Sequence, residues 1–186
     1  MYNHSKRSVI FINSVYFFTF SSNNKQDYSN IARAFVIEKA SKIIGVTPTE
    51  LEFAKTENGK PYFKNFSDFN FNISHTDGAI AICFSDYPVG VDIEKIRPFN
   101  PKVTNRYFTE TEKAYIQSDI KNISHRFFEI WTKKEAYIKC RGLTLKELKN
   151  TNTSHIHTFQ KGEYFISVCS ECEKSKLIVL ENFNNI

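Results

Sequence analysis

The stretch VGVDIEKIRP, residues 89–98, decides the fold, because it sets two acidic residues inside an apolar strand pattern. In a strand, successive side chains point to opposite faces of the sheet. Asp92 and Glu94 therefore share one face, and Ile93 takes the other. At ~3.3 Å per residue the two carboxylates stand roughly 6–7 Å apart, where like charges repel and burial without partners is unfavourable. We therefore expect a cation beside this pair.

A helix further along the chain is the expected companion of this strand. The stretch SHRFFEIWTKKEAYIKCRG, residues 124–142, is rich in aromatic residues and has the apolar spacing of a helix. Glu135 and Lys139 lie one helical turn apart on it. Packing of this helix against the sheet is expected to bring Glu135 over the two strand carboxylates.

Three carboxylates at one point predict a bound metal ion. Carboxylate oxygens together with water are the ligands that Mg²⁺ prefers, and Mg²⁺ commonly shares its shell with phosphate oxygens. We predict a Mg²⁺ site formed by Asp92, Glu94 and Glu135, with Lys139, Lys133 or Lys134 available to neutralise phosphate charge. Spacing alone leaves an alternative open. The strand acids would then form a solvated sheet edge, and Glu135 with Lys139 a surface helix pair worth ~0.3–0.5 kcal/mol.

Composition indicates a globular protein with a mild basic excess. The chain has 186 residues, of which 41% are hydrophobic, and its net charge is +5. This length allows one core or two small lobes. The positive charge favours acidic partners or polyphosphate ligands and does not by itself imply nucleic acid. We predict neither a nucleic-acid partner nor a membrane partner.

Two further patterns carry little weight. Residues 8–20, SVIFINSVYFFTF, follow two basic residues as in a signal peptide, but polar residues interrupt them and no small-residue cleavage site follows. A β-hairpin is the better interpretation, and the run is too short to span a membrane. Cys169 and Cys172 form a lone CxxC, which is weak as a metal or redox motif without a second pair. The cysteine usage is typical of a reducing cytosol, so we expect a cytoplasmic protein.

Alternation, caps and turn residues predict an α+β fold. It has two similar lobes, residues 1–88 and 89–186, each a small antiparallel sheet packed with a helix. The predicted strands include residues 69–74, 79–84 and 89–95. The predicted helices include one over residues 29–45 capped by Ser29 or Asn30, one after a capping box at Thr109 and Glu112, and one over residues 125–140 capped by Ser124.

Other candidate residues are weaker when each is taken alone. Lys60 lies in a Gly-Lys-Pro turn, Ser74 and His75 lie at a strand end, and Glu112 belongs to its capping box. Each has an ordinary structural interpretation in a turn or a cap. The chain has no G-x-x-x-x-G-K-[ST] loop, no H-E-x-x-H and no G-x-S-x-G motif.

Five blocks of sequence, taken together, resemble the 4'-phosphopantetheinyl transferase superfamily, in its longer monomeric type that activates surfactin-like synthetases. They are GKPYF (59–63), FNISHTDGAIAICF (71–84), VGVDIEKIRP (89–98), RYFTETE (106–112) and FFEIWTKKEAYIKCRGLTL (127–145). The core pattern is G-[VI]-D, followed about forty residues on by W-[ST]-x-K-E-[AS]-x-x-K. This chain has Gly90 to Asp92 and Trp131 to Lys139 at those positions.

The resemblance implies a pseudo-twofold α+β fold with coenzyme A in the cleft between two lobes. It implies a monomeric, Mg²⁺-dependent transferase that moves the 4'-phosphopantetheine arm of coenzyme A to a serine of an acyl or peptidyl carrier protein and releases 3',5'-ADP. The lobe of residues 1–88 would contribute to coenzyme A binding. The lobe of residues 89–186 would carry the metal and the catalytic acids.

Individual roles follow from the resemblance for the positions that match its motifs. The implied metal ligands are Asp92, Glu94 and Glu135. The implied catalytic residues are Glu135, Lys139 and Asp92. The implied coenzyme A contacts are Lys60, Ser74, His75 and Lys139. Glu112 matches an acid close to the metal region.

The sequence departs from the family pattern before its first helix. The basic run expected there is missing, and DYSNIARAF (27–35) offers only Arg33 for a region that normally helps to bind the 3'-phosphate. One alternative is therefore a catalytically weak homologue that binds coenzyme A or a carrier domain without turnover. The other is a Mg²⁺-dependent nuclease. Its usual signature places an acid two residues before a catalytic lysine, whereas Glu135 and Lys139 are four apart.

Overall fold

The computed structural model describes residues 13–20, 27–171 and 178–184. Its strands are β1 (Asn13–Thr19), β2 (Phe53–Lys55), β3 (Pro61–Phe63), β4 (Asn70–Thr76), β5 (Ala79–Ser85), β6 (Val89–Lys95), β7 (His157–Lys161), β8 (Tyr164–Ser170) and β9 (Ile178–Asn184). Its α-helices are α1 (Tyr28–Ile44), α2 (Pro101–Tyr107), α3 (Glu110–Gln117) and α4 (Ile123–Arg141). Short 3₁₀ turns cover Pro48–Glu50, Ile120–Asn122 and Leu145–Asn150.

These strands form three sheets. The first has the order β4-β5-β1-β9, the second is the β2-β3 hairpin, and the third has the order β6-β8-β7. The α+β class with small antiparallel sheets and packed helices is confirmed, although β1 and β9 pair in parallel. The boundary between residues 88 and 89 falls in the turn between β5 and β6 and stays a prediction. Strand β9, from the second part of the chain, lies in the first sheet.

Two-residue periodicity in β5 explains how the layers stack. Every residue of β5 is buried. Ile80, Ile82 and Phe84 pack toward α1 on one face of the first sheet. Ala79, Ala81 and Cys83 alternate with them and face the third sheet. The layers are therefore α1, the first sheet, the third sheet and α4, with a separate apolar core at each contact.

Helix ends follow the sequence signals only in part. Gly45 and Gly142 end α1 and α4 in the left-handed conformation, with φ of 80° and 66°. The capping box of Thr109 and Glu112 at the start of α3 is confirmed. The predicted cap at Ser29 or Asn30 was wrong, because the Asp27 side chain accepts the Asn30 N–H.

The predicted cap of α4 was wrong as well. A 3₁₀ turn over Ile120–Asn122 leads directly into α4, so the helix begins at Ile123, before Ser124. Asn122 takes the N-cap position without a side-chain hydrogen bond to the helix.

The amino-terminal apolar run forms one strand over its described part. Strand β1 pairs with β5 on one side and β9 on the other, so a hairpin within residues 13–19 is excluded. The rest of that run lies outside the described residues. No helix among the described residues is both long and apolar enough to cross a membrane.

Gly90 fixes the contact between β6 and α4. A Cβ at this position would fall on the Ala136 carbonyl oxygen and on the Cys140 backbone nitrogen. The bare glycine therefore lets the helix backbone pack directly on the strand. Because positions 90, 92 and 94 of a strand share a face, this contact turns Asp92 and Glu94 toward α4.

Candidate functional site

Asp92 is the centre of the candidate site, which lies where the first and third sheets meet beside α4. Its carboxylate is buried, with 4% of the residue exposed. The Lys139 ammonium donates to Asp92 Oδ1 at 2.6 Å, and the Ser74 hydroxyl donates to the same oxygen at 2.9 Å. The other oxygen, Oδ2, is buried without a hydrogen-bond partner in the described structure. A buried carboxylate oxygen without a partner is unfavourable and suited to a cation.

Glu94 is held from a different direction. Arg97 donates to Glu94 Oε2 at 2.8 Å, and the Thr76 hydroxyl lies 3.4 Å from the same oxygen. Burial raises the pKa of Glu94, and the nearby Asp92 carboxylate raises it further, while Arg97 opposes both. The indole of Trp131 also donates toward Glu94 and favours its charged form.

Glu135 comes from α4 into the field of the two strand acids. Its pKa is raised from 4.5 to about 7, chiefly by burial and in addition by the Asp92 carboxylate. Glu94 acts in the same direction, and Lys139 opposes it. The three carboxylates are therefore electrostatically coupled across the strand and the helix.

Lys139 balances this concentration of negative charge. Burial disfavours its ammonium form, but the attraction and hydrogen bond of Asp92 outweigh that effect and raise its pKa. Glu135 and Glu94 act in the same direction. The positive charges of Lys139 and Arg97 thus offset the repulsion between Asp92 and Glu94. The sequence pattern predicted a metal ion for that role.

The three carboxylates meet the requirements of a Mg²⁺ site only in part. Among the described residues, no three His, Cys, Asp or Glu side chains are grouped closely enough to hold a metal ion as they stand. The donor chemistry nevertheless fits, since the three acids offer only oxygens, the ligands that Mg²⁺ prefers. The Oδ2 atom of Asp92 has no hydrogen-bond partner in the described structure, so its lone pairs are available to a cation.

The residues assigned to coenzyme A lie in different surroundings. Lys60 donates its ammonium to the carbonyls of Val89 at 3.1 Å and Cys140 at 2.8 Å, at the end of α4. Burial lowers the pKa of Lys60. His75 is exposed, and its ring lies 5.9 Å from that of Tyr28. Their roles toward coenzyme A stay predictions.

Arg33, the one basic residue that the sequence offered near the first helix, lies against an aromatic ring. Its guanidinium stands 4.7 Å from the centre of the Phe53 ring. Cys172 lies outside the described residues, and Cys169 is a buried free thiol on β8.

Two features of the site were missed in the sequence. Glu112 pairs with Lys134 at 2.9 Å, and Lys134 is fully buried. Thr76 reaches Glu94 from β4. The signal for the second was present as alternating polar residues 72, 74 and 76 in FNISHT, a pattern typical of a strand with one polar face.

Comparison with known proteins identifies relatives along nearly the whole described chain. The family model described as the 4'-phosphopantetheinyl transferase superfamily matches residues 88–182. The family model described as 4'-phosphopantetheinyl transferase, N-terminal, matches residues 13–86. The two matches meet near the turn between β5 and β6.

Individual relatives carry the same description. The 4'-phosphopantetheinyl transferase gsp of Aneurinibacillus migulanus is 38% identical over 122 residues, covering 64% of this chain and 51% of the relative. The 4'-phosphopantetheinyl transferase Sfp of Bacillus subtilis is 28% identical over 141 residues, covering 75% and 58%. The transferase AcpT of Salmonella typhi is 38% identical over 95 residues, covering 49% and 50%. The chain thus spans about half the length of the curated relatives it matches.

Proposed function

The chain belongs to the 4'-phosphopantetheinyl transferase superfamily, and from this membership we propose that it transfers the 4'-phosphopantetheine arm of coenzyme A to a carrier protein. The acceptor is a serine hydroxyl of an acyl or peptidyl carrier protein. The serine oxygen forms a bond to the β-phosphorus, the bond from that phosphorus to 3',5'-ADP breaks, and the hydroxyl proton is lost. The likeness to the Sfp transferase supports the type that acts on surfactin-like synthetases.

One observation carries this proposal. Asp92 is buried beside Lys139 with one oxygen unpartnered, and its charge is coupled to those of Glu94 and Glu135. An ordinary surface pair would not concentrate three acids and a lysine at a sheet edge. The arrangement suits a reaction on phosphate, because phosphoryl transfer depends chiefly on positioning and electrostatic stabilisation.

A metal site is part of the proposal. Asp92, Glu94 and Glu135 would hold Mg²⁺. When bound, the ion would stabilise the charge that develops on the phosphoryl and leaving oxygens.

Two residues of α4 contribute to the reaction itself. Lys139 keeps its ammonium charged, because neighbouring carboxylates raise its pKa, and it is the proposed contact for the coenzyme A phosphates. Glu135, one turn before Lys139, is the proposed acceptor for the proton of the carrier serine. Neither role requires a covalent intermediate on the protein.

The partners are proposed on the same basis. Coenzyme A would contact Lys60, Ser74, His75 and Lys139. The net charge of +5 is complementary to a polyanionic cofactor and to an acidic carrier protein. We propose a monomer in the cytoplasm, acting without nucleic acid or membrane. The buried free thiols of Cys83, Cys140 and Cys169 are compatible with a reducing compartment.

Mass spectrometry of an apo carrier protein tests the proposal directly. After incubation with this protein, coenzyme A and Mg²⁺, the carrier is expected to gain one phosphopantetheine on its serine. Omitting coenzyme A, or adding a chelator, should abolish the gain. The proposal is wrong if several apo acyl and peptidyl carriers stay unmodified while the Sfp transferase of Bacillus subtilis modifies the same samples.

A further inference from the structure

Along the edge of β6 that does not face β8, the backbone N–H groups donate to side chains of β4. Among the described strands, β6 pairs with β8 alone, and β4 is likewise an edge strand of the first sheet. In an antiparallel edge strand, the N–H groups of alternate residues point away from the sheet and need partners. Three such groups in β6 are satisfied by β4. Val91 donates to Asn72 Oδ1 at 2.9 Å, Ile93 to Ser74 Oγ at 3.3 Å and Lys95 to Thr76 Oγ1 at 3.4 Å.

These three hydrogen bonds form a ladder between β6 and β4, and in the last two of them the accepting hydroxyl also contacts an acid of β6. Ser74 accepts from Ile93 and donates to Asp92, the residue before it, at 2.9 Å. Two residues after Ser74, the Thr76 hydroxyl accepts from the Lys95 N–H at 3.4 Å. It also donates to the carboxylate of Glu94, the residue before Lys95, at 3.4 Å. Each β4 hydroxyl thus connects a β6 carboxylate to the N–H of the next β6 residue. Because side chains alternate with a period of two in both strands, Ser74 and Thr76 stay opposite Asp92 and Glu94.

The hydroxyl of Ser74 has no hydrogen-bonding capacity left in this arrangement. A serine hydroxyl has one donor and two acceptor sites. Its proton goes to Asp92, and it accepts from the Ile93 N–H and from the Lys139 ammonium at 3.0 Å. A direct hydrogen bond from Ser74 to a coenzyme A phosphate would have to displace one of these partners.

From this ladder we propose that Ser74 and Thr76 are positioning residues for Asp92 and Glu94. A hydroxyl on one oxygen of each carboxylate restricts its rotation. The other oxygen of Asp92, Oδ2, is buried and has no hydrogen-bond partner in the described structure. The first sheet therefore sets the orientation of the acids that the third sheet carries. This inference rests on the proposed function, because it concerns the proposed Mg²⁺ ligands.

Removal of each hydroxyl tests the proposal through metal affinity. We choose Ser74→Ala and Thr76→Val, and measure Mg²⁺ binding without coenzyme A by calorimetry and by the fluorescence of Trp131. This is the only tryptophan of the chain and lies beside Glu94. Loss of a hydrogen bond to a metal ligand typically weakens metal affinity roughly 10- to 100-fold. The Thr76 bonds are longer, so the smaller effect is expected for Thr76→Val.

Two control variants separate positioning from general damage. Thr76→Ser keeps the hydroxyl and is expected to restore Mg²⁺ affinity. Thr19→Val removes a hydroxyl from an exposed threonine on β1 of the same sheet and should leave Mg²⁺ affinity unchanged. Coenzyme A affinity measured in the presence of a chelator should be the same for Thr76→Val and the unaltered protein, because Thr76 is not among the proposed coenzyme A contacts and acts only through Glu94.

Each outcome supports or overturns the proposal. If the unaltered protein binds Mg²⁺ and modifies a carrier but both variants bind Mg²⁺ equally tightly, the positioning role is wrong and the proposed function stands. If Thr76→Val loses coenzyme A affinity without metal, Thr76 is a ligand contact and its positioning role is wrong. If the unaltered protein modifies a carrier without binding Mg²⁺, the metal site and this inference both fail while the transfer activity stands. Absence of both activities overturns the proposed function itself.

Discussion

The ammonium of Lys134 is fully buried and lies 2.9 Å from the Glu112 carboxylate, which connects α4 to α3. Lys134 also donates to the Leu148 carbonyl at 2.8 Å, in the 3₁₀ turn that follows α4. Glu112 in turn accepts the Thr109 N–H at 2.7 Å. The acid that matched a position near the metal region therefore has structural partners, and the lysine beside Glu135 anchors its helix.

This pair predicts an unequal response to the loss of each partner. Glu112→Ala leaves a buried ammonium with only neutral partners, so the free energy of unfolding should fall by about 3–5 kcal/mol. Lys134→Met removes the buried charge and leaves Glu112 able to cap α3, so its effect should be smaller, about 1–3 kcal/mol. Urea unfolding followed by circular dichroism measures both.

A neighbouring acid provides the control for this comparison. Glu110 is exposed and pairs with Lys113 on the surface of α3. Glu110→Ala should leave the free energy of unfolding nearly unchanged, because an exposed ion pair contributes little to stability. A similar small loss for Glu112→Ala would contradict the anchoring role of the buried pair.

Gly90 gives a prediction about the strand that carries the acids. In Gly90→Ala the new methyl group would meet backbone atoms of Ala136 and Cys140, which cannot rotate away. We expect a loss of roughly 3 kcal/mol in the free energy of unfolding, since overpacking against rigid atoms is strongly unfavourable. Thermal unfolding measures this loss. The fluorescence of Trp131 in the folded protein reports whether α4 has shifted.

Gly142→Ala is the comparison for a glycine that is needed for its conformation alone. Its φ is +66° and a Cβ there would meet no atom within 4 Å, so the cost is about 1–2 kcal/mol from backbone strain. Equal losses in the two variants would show that Gly90 does not carry a special steric role.

Local patterns explain which parts of the fold could be predicted. Strands β4, β5 and β6 and helix α4 follow from two-residue and 3.6-residue periodicities that the chain carries in itself. The shared face of Asp92 and Glu94 follows from strand geometry alone. The starts of α1 and α4 did not follow, because several polar residues near each start compete for the cap and the surrounding turn decides among them.

The partners of the acids could not be read from the sequence. Arg97 follows β6 closely in the chain, but its turn back onto Glu94 depends on the loop path. The contact of Lys139 with Asp92 joins residues 47 positions apart. The hydroxyl ladder requires two sheet edges to meet, and which edges meet is a property of the whole fold.

The raised pKa of Glu135 predicts how stability depends on pH in the metal-free protein. The folded protein holds the Glu135 proton up to about pH 7, whereas the ordinary value is 4.5. The stabilisation from this proton is therefore complete below about pH 4.5 and is lost as the pH rises through about 7. Its size is at most about 3.5 kcal/mol, at about 1.4 kcal/mol per pKa unit.

Glu135→Gln isolates this contribution. With a chelator present, the unfolding temperature of the unaltered protein should fall between pH 5 and pH 8 more steeply than that of the variant, because glutamine does not titrate. Glu94 also has a raised pKa and remains in both proteins, so only the difference between the two curves is assigned to Glu135. Parallel curves would show that the pKa of Glu135 is not raised in the folded protein.

The last prediction concerns the activity itself. Asp92→Asn and Glu135→Gln each remove one carboxylate charge with little change in shape, and carrier modification should fall by at least about 10²-fold. Glu135→Gln should stay folded, since it reduces repulsion among the acids. Asp92→Asn reduces the same repulsion but removes the ion-pair partner of Lys139, so circular dichroism is measured on both variants before activity. Asp92→Asn should also lower the pKa of Lys139, which the Asp92 carboxylate raises. Glu38→Gln, on the exposed face of α1 and paired with Lys42, is the matched control and should retain full activity. Near-full transfer by both Asp92→Asn and Glu135→Gln would remove these two acids from the catalytic machinery, whatever the family resemblance implies.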